Sequence, residues 1–68
     1  MGRKLWFIGN GERPIGAFPS QRAARYELEA LEREELNAAE AYEIYGVEVD
    51  DLEDHPRELE LAEEEGLV

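Results

Sequence analysis

Two short apolar runs near the N-terminus flank a Gly-Asn-Gly turn, and this arrangement constrains the fold more than any other feature of the sequence. Residues 5–8 (Leu-Trp-Phe-Ile) form the first run, and residues 15–18 (Ile-Gly-Ala-Phe) form the second. Asparagine followed by glycine suits a tight turn that needs positive φ. Pro14 stands at the start of the second run, where a strand tolerates proline. The pattern therefore predicts a β-hairpin over residues 1–19.

Two loop lengths fit this hairpin. A two-residue loop pairs Gly9 with Glu12, and a four-residue loop pairs Ile8 with Ile15. We prefer the longer loop because it also sets Phe7 opposite Gly16 and Leu5 opposite Phe18. Side chains alternate between the faces of a strand, so both loops predict the same two faces. One face carries Trp6, Ile8, Ile15 and Ala17, and the other carries Leu5, Phe7, Gly16 and Phe18.

The main helix is predicted over residues 20–36, with Ser20 as its N-cap. Ala24, Leu28 and Leu31 recur at i, i+4 and i+7 and give this helix an apolar stripe. Glu35 falls on the same stripe, so we expect the last turn to leave the core.

Residues 37–46 predict a second helix that starts with Asn37, carries Tyr42 and Tyr45 one turn apart, and stops at Gly46. Residues 47–49 (Val-Glu-Val) alternate and fit either a short third strand or a connector. Pro56 suits the first turn of a last helix that ends at Gly66. The whole is one α+β domain over residues 1–68, an N-terminal hairpin followed by two or three helices (ββααα), with residues 37–68 forming an acidic helical part.

The sequence also predicts which apolar side chains of the last helix pack against the core. Leu59 and Ala62 are expected to face inward, and Leu67 is expected to close a Schellman-type contact after Gly66.

Both predicted faces of the hairpin are apolar, which leaves two possibilities for what covers them. Either the first and last helices each cover one face, or the face bearing Trp6 meets another chain.

Composition narrows the function. Sixty-eight residues without cysteine exclude a disulfide framework and a cysteine-bound metal. The apolar run at residues 5–8 is shorter than a signal peptide requires, and no window resembles a membrane span. We therefore expect a soluble, cytoplasmic protein with no membrane contact and no cofactor.

The inventory of nucleophiles argues against an enzyme. Ser20, His55 and Lys4 are the sole residues of their types, and threonine and cysteine are absent. A Ser-His-Asp or Cys-His site is therefore nearly excluded by counting. Residues 50–55 do not fit a calcium loop, because the sixth position is His55 and not glycine. We predict no catalytic residues and no metal site.

Charge divides the chain near residue 25. Residues 1–25 carry a net charge of +4, whereas residues 26–68 hold 17 acids against Arg33 and Arg57, a net charge of −15. Carboxylates spaced one helical turn apart can imitate a polyanion and occupy a basic cleft. The leading hypothesis is a small interaction module, such as an inhibitor or nucleic-acid mimic, that docks on a basic nucleic-acid-handling protein. The predicted acidic contact residues are Glu27, Glu34, Glu40 and Glu43.

Three alternatives stay open. The first is a self-assembling subunit that makes contact through the hairpin residues Trp6, Ile8 and Ile15. The second is direct binding of nucleic acid, with phosphate contacts from Arg3, Lys4, Arg13, Arg22 and Arg25. The third is that the acidic surface is an adaptation to a salt-rich or hot environment.

Overall fold

The computed structural model describes residues 3–68 and confirms an α+β architecture. Met1 and Gly2, at the start of the predicted hairpin segment, lie outside the described residues. The elements in chain order are β1 (Lys4–Gly9), β2 (Pro14–Phe18), α1 (Gln21–Glu34), α2 (Ala38–Ala41), β3 (Glu43–Glu48), a 3₁₀ helix (Val49–Asp54) and α3 (Pro56–Glu64).

The hairpin forms, but a β-bulge changes its register. Gly9 pairs with Pro14, the pairing that the four-residue loop predicts. Beyond this pair Ile15 is an extra residue, so Ile8 lies opposite Gly16 rather than opposite Ile15. One inserted residue exchanges the faces of the rest of β2. The prediction of the two faces is therefore wrong, since Ala17 lies opposite Phe7 and shares its face.

The hairpin loop has the expected local chemistry. Gly11 adopts φ +89°, the left-handed conformation that the Asn-Gly pair predicts. The Asn10 side-chain oxygen accepts hydrogen bonds from the backbone N–H groups of Glu12 and Arg13, both at 3.0 Å. These bonds hold the loop closed and set where β2 begins.

A third strand replaces most of the predicted second helix. β3 pairs antiparallel with β1, which gives the strand order β2-β1-β3. α2 ends at Ala41, so the prediction of a helix through Tyr45 to Gly46 is wrong. A short isolated helix is weakly stable, whereas a strand here pairs with a whole edge of β1. Residues 47–49, for which a short strand and a connector were both open, contain the end of β3 at Glu48 and the start of a 3₁₀ helix at Val49.

Helices lie on both faces of the sheet. One face contributes Leu5, Phe7, Ala17 and Val47 to a core that Leu52 of the 3₁₀ helix and Ala62 of α3 complete. Leu59 and Leu67 pack against this core as half-buried residues, as predicted. On the other face Ile8 is 1% exposed, and α1 contacts the three strands. Trp6 shares that face and remains half-buried.

The helix ends follow the predicted capping residues. The Ser20 hydroxyl accepts a 3.1 Å hydrogen bond from the backbone N–H of Ala23 and caps α1. α1 ends at Glu34, two residues before the predicted boundary, and Leu36 is fully exposed. Gly66 follows α3 with φ +73°, and the Leu67 N–H donates to the Ala62 carbonyl at 2.8 Å. This is the predicted Schellman contact. Across residues 3–68, no helix is both long and apolar enough to pass through a bilayer.

Candidate interaction surfaces

The carboxylates lie at the surface. Every acidic residue is exposed except Glu48 and Glu58, which are half-buried. No polar or charged residue within residues 3–68 is buried. The negative charge of the second half of the chain is therefore presented to solvent from the helices, from both ends of β3 and from the 3₁₀ helix.

The four predicted acidic contact residues are spread over three elements. Glu27 and Glu34 lie seven residues apart on α1, which places them on one side of that helix. Glu40 lies on α2, and Glu43 opens β3 opposite Gly9. All four are exposed.

These residues do not converge on one cavity. Glu27 lines a groove of about 540 Å³ beside β2, where Glu65 and Leu67 also contribute to the lining. Glu43 lines a different groove of about 280 Å³ at the hairpin loop, together with Glu58 and Arg57. The acidic surface is thus a distributed surface and not a single pocket.

The hairpin residues proposed for self-association also separate. Ile8 belongs to the core, whereas Ile15, the bulge residue, is 41% exposed. Trp6 is half-buried, and the Lys4 ammonium lies 5.5 Å from its ring centroid, within reach of a cation–π contact. A hairpin contact with another chain would therefore use Trp6 and Ile15 from different positions, without Ile8.

The basic residues proposed for phosphate contact do not form one cluster. Arg13 lies in the hairpin loop, at the end of the sheet where Gly9 pairs with Pro14. Lys4 lies at the opposite end of β1, and the nearby Arg3 donates a 3.2 Å hydrogen bond to the Leu67 carbonyl. A strand of six residues spans about 17 Å, so Arg13 is far from the other end. Arg22 and Arg25 are exposed on the first turns of α1.

The two tyrosines predicted on one helix lie on different elements. Tyr42 follows α2, and its hydroxyl donates a 3.2 Å hydrogen bond to Glu35, which raises the pKa of Tyr42. Tyr45 lies in β3, stacks on Phe7 at 5.7 Å between ring centroids, and donates a 2.9 Å hydrogen bond to Glu58. Burial first, and then this hydrogen bond, raise the pKa of Tyr45 well above its ordinary value. Both carboxylates favour the neutral phenol, because they accept its proton in a hydrogen bond.

Residues 50–55 form most of the 3₁₀ helix and its end. Asp50 and Asp51 lie in its first turn, where acidic side chains favour the positive end of the backbone dipoles. In the part of the chain that the structure describes, no three histidine or acidic residues come together as metal ligands.

The outer edge of β3 is a further surface, and none of the predicted contact residues except Glu43 belongs to it. Gly46 is exposed there, and Ile44 and Glu48 are half-buried. The alternation of Val47, Glu48 and Val49 is a signal for this strand, but Tyr42 and Tyr45 at helical spacing favour a continuing helix over residues 43–46.

Comparisons with protein-family models, with curated proteins and with solved structures found no match to this chain. The assignment of function therefore depends on the surfaces described above.

Proposed function

We propose that this protein is a non-catalytic interaction module that docks through its acidic surface on a basic protein. The observation that carries the proposal is the exposure of the carboxylates, which gives residues 26–68 a net charge of −15 at the surface. A surface of one sign attracts a partner of the opposite sign over long range and speeds its association. A protein that handles nucleic acid is the favoured partner, since its cleft is already adapted to a polyanion.

The absence of a buried polar or charged residue within residues 3–68 supports binding rather than catalysis. Catalytic carboxylates usually lie in an apolar setting, whereas the carboxylates of this chain are exposed, except for the half-buried Glu48 and Glu58. A cytoplasmic location belongs to the same proposal, because a chain without cysteine has no need of an oxidising compartment.

A capture experiment with two matched baits tests this function. The first variant changes the predicted contact residues to glutamine, at Glu27, Glu34, Glu40 and Glu43. The second variant removes the same number of charges from the 3₁₀ helix, with Asp50→Asn, Asp51→Asn, Glu53→Gln and Asp54→Asn. Wild-type protein and both variants are immobilised and then incubated at low salt with lysate of the source organism. Bound proteins are eluted by a salt step.

The expected result is one dominant basic protein that wild type and the second variant retain and that the first variant loses. The purified partner should bind wild type at least tenfold more tightly than it binds the first variant, a difference of about 1.4 kcal/mol. Duplex DNA should compete with wild type if the partner uses its nucleic-acid cleft. Equal retention by both variants would show that net charge alone is responsible, and an empty eluate would contradict the proposal.

Self-association through the hairpin is the second candidate, and the 41% exposure of Ile15 favours it. Sedimentation of wild type and Ile15→Ser across a range of concentrations tests it. A concentration-dependent mass that Ile15→Ser abolishes would favour an assembling subunit over a docking module.

A further inference from the structure

We propose that the outer edge of β3 binds an extended, basic segment of a partner protein as a fourth strand of the sheet. This inference rests on the proposed function, because it specifies how the basic partner is held. Strand addition to an open edge is a common mode of peptide recognition, in which backbone hydrogen bonds give affinity and alternate side chains give specificity.

The direction of the backbone groups follows from one hydrogen bond. The Val49 N–H donates to the Arg3 carbonyl at 2.7 Å, one residue beyond the pair Lys4 and Glu48. In an antiparallel pair the hydrogen-bonded positions alternate with positions whose backbone groups point away. Odd-numbered residues of β3 therefore bond to β1. Ile44, Gly46 and Glu48 direct their N–H and C=O groups away from the sheet.

This edge is more accessible than the edge of β2 on the other side of the sheet. Pro14 has no N–H to donate, and the bulge at Ile15 interrupts the ladder. Ala17, the β2 residue that points its backbone groups outward by the same alternation, is 5% exposed. In β3, by contrast, the central outward residue Gly46 is exposed.

The charges beside this edge select the occupant. Glu43 and Glu48 stand at the two ends of β3. Lys4 is the cation on the neighbouring strand, opposite Glu48. Cations opposite the two glutamates would stabilise an added strand, because opposite charges across a strand pair attract. A second copy of this chain, with its net charge of −11, is disfavoured at the same edge.

The side chains define a pattern for the added strand. Glu48, Gly46 and Ile44 share the face that carries Trp6. The Lys4 stem and the Trp6 ring lie over Gly46, since a Cβ there would be 2.7 Å from Lys4 Cδ and 3.3 Å from Trp6 Cε3. An antiparallel partner strand therefore fits best with a cation opposite Glu48, an apolar residue that packs on the Lys4 stem and the Trp6 ring, and an aliphatic residue opposite Ile44. A second cation should follow directly opposite Glu43. A peptide with the core Lys-Thr-Phe-Thr-Val-Arg has this pattern.

Proline at residue 48 provides a selective block. Glu48 already has φ −63°, which matches the φ that proline imposes. Its N–H points away from β1, so Glu48→Pro removes one donor of the open edge and leaves the sheet's own hydrogen bonds intact. Glu48→Ala is the matched control, because it removes the same charge and keeps the N–H.

The experiment titrates this peptide, acetylated and amidated, into the labelled protein at low salt and follows the backbone amides by NMR. We expect hydrogen exchange to slow at the amides of Ile44, Gly46 and Glu48, while those of Tyr45 and Val47 change little. Glu48→Pro should bind at least tenfold more weakly than Glu48→Ala. A scrambled peptide of the same composition should give no protection at the edge.

Other outcomes overturn strand addition in distinguishable ways. Equal binding to Glu48→Pro and Glu48→Ala without amide protection would show that charge alone attracts the peptide, and the proposed function would stand. Amide protection without peptide, together with a doubled mass in sedimentation, would assign the edge to a second copy. No binding of the peptide would exclude the edge as its site. If Glu48→Pro does not fold, the exchange pattern of wild type decides.

Discussion

The Tyr45 hydroxyl donates a 2.9 Å hydrogen bond to the Glu58 carboxylate and so joins β3 to α3. The same tyrosine stacks on Phe7, which is fully buried in the core. One side chain thus connects β3, the first part of which was predicted to be helix, with the last helix and with the central strand. The Tyr45–Glu58 hydrogen bond therefore stabilises the packing of α3 against β3.

Replacing Tyr45 with phenylalanine should lower the free energy of unfolding by about 1 kcal/mol. The ring and its stacking remain, so the loss measures the hydrogen bond to a half-buried acceptor. Tyr42→Phe is the control, because its hydrogen bond to Glu35 is exposed to water and should contribute less to stability. Urea unfolding of both variants measures the difference. Equal losses would contradict a special role for Tyr45.

Tyr45 should also make stability fall at alkaline pH. Its pKa in the folded protein is raised above the ordinary value of 10.0, so the unfolded chain loses the phenol proton first. The contribution is complete below about pH 10 and is lost as the pH rises from there toward the folded pKa. The slope for one such group is at most about 1.4 kcal/mol per pH unit.

The measurement is urea unfolding of wild type and Tyr45→Phe at several values between about pH 8 and about pH 11. The difference between the two proteins should shrink above about pH 10, since the variant lacks the titrating group. Other titrating groups act on both proteins and cancel. A difference that stays constant with pH would show that the Tyr45 pKa is not raised.

At the end of α3, substitution of Gly66 should lower the stability of the fold most. It adopts φ +73°, and the Cβ of another residue would meet no atom within 4 Å, so the backbone alone sets the cost of substitution. Gly66→Ala should lower stability by about 1 kcal/mol, and Gly66→Asn by less, because asparagine tolerates the left-handed region better. Thermal unfolding of both variants checks the order. Equal stability of alanine and glycine would contradict the Schellman geometry.

The local signals in the sequence predicted the local structure. Ser20 caps α1, Gly11 and Gly66 adopt positive φ, and the helix after Pro56 ends where its capping residues indicate. Each of these features depends on a few neighbouring residues and their backbone preferences. Such features are readable because the interactions that determine them lie within the same short segment.

The features that the sequence did not reveal depend on distant residues. The bulge at Ile15 places one residue outside the ladder. The adjacent Gly16 is compatible with a bulge, but the pairing with β1 decides which residue is inserted. The segment around Tyr45 has apolar residues at helical spacing, but pairing with β1 outweighs that preference. Tertiary context commonly overrides intrinsic propensity in strands.

The candidate sites show the same division. Acidic composition predicted an acidic surface, but not its division between a groove with Glu27 and a groove with Glu43. The open edge at Gly46 could not be predicted from the sequence, because it exists only once β3 has paired with β1. A site formed by strand pairing becomes visible when the pairing partner is known.

The acidic surface should make the folded state more stable as salt rises. Glu60 and Glu64 lie one turn apart on α3, as do Glu60 and Glu63, and each like-charge pair costs about 0.2–0.5 kcal/mol. Raising NaCl from about 0.02 M to about 0.5 M shortens the screening length and relieves this repulsion. We expect the free energy of unfolding to rise by about 1 kcal/mol, measured by urea unfolding at both concentrations.

A variant with Glu60→Gln and Glu64→Gln should be more stable at low salt and should respond less to NaCl. Stability that falls with salt in wild type would indicate attractive ion-pair networks and would contradict this account. A basic partner neutralises the same carboxylates that salt screens. Its binding should therefore stabilise the fold, with the largest effect at low ionic strength, where its affinity is highest. The stability of the free protein at low salt thus reports the repulsion that the proposed partner would remove.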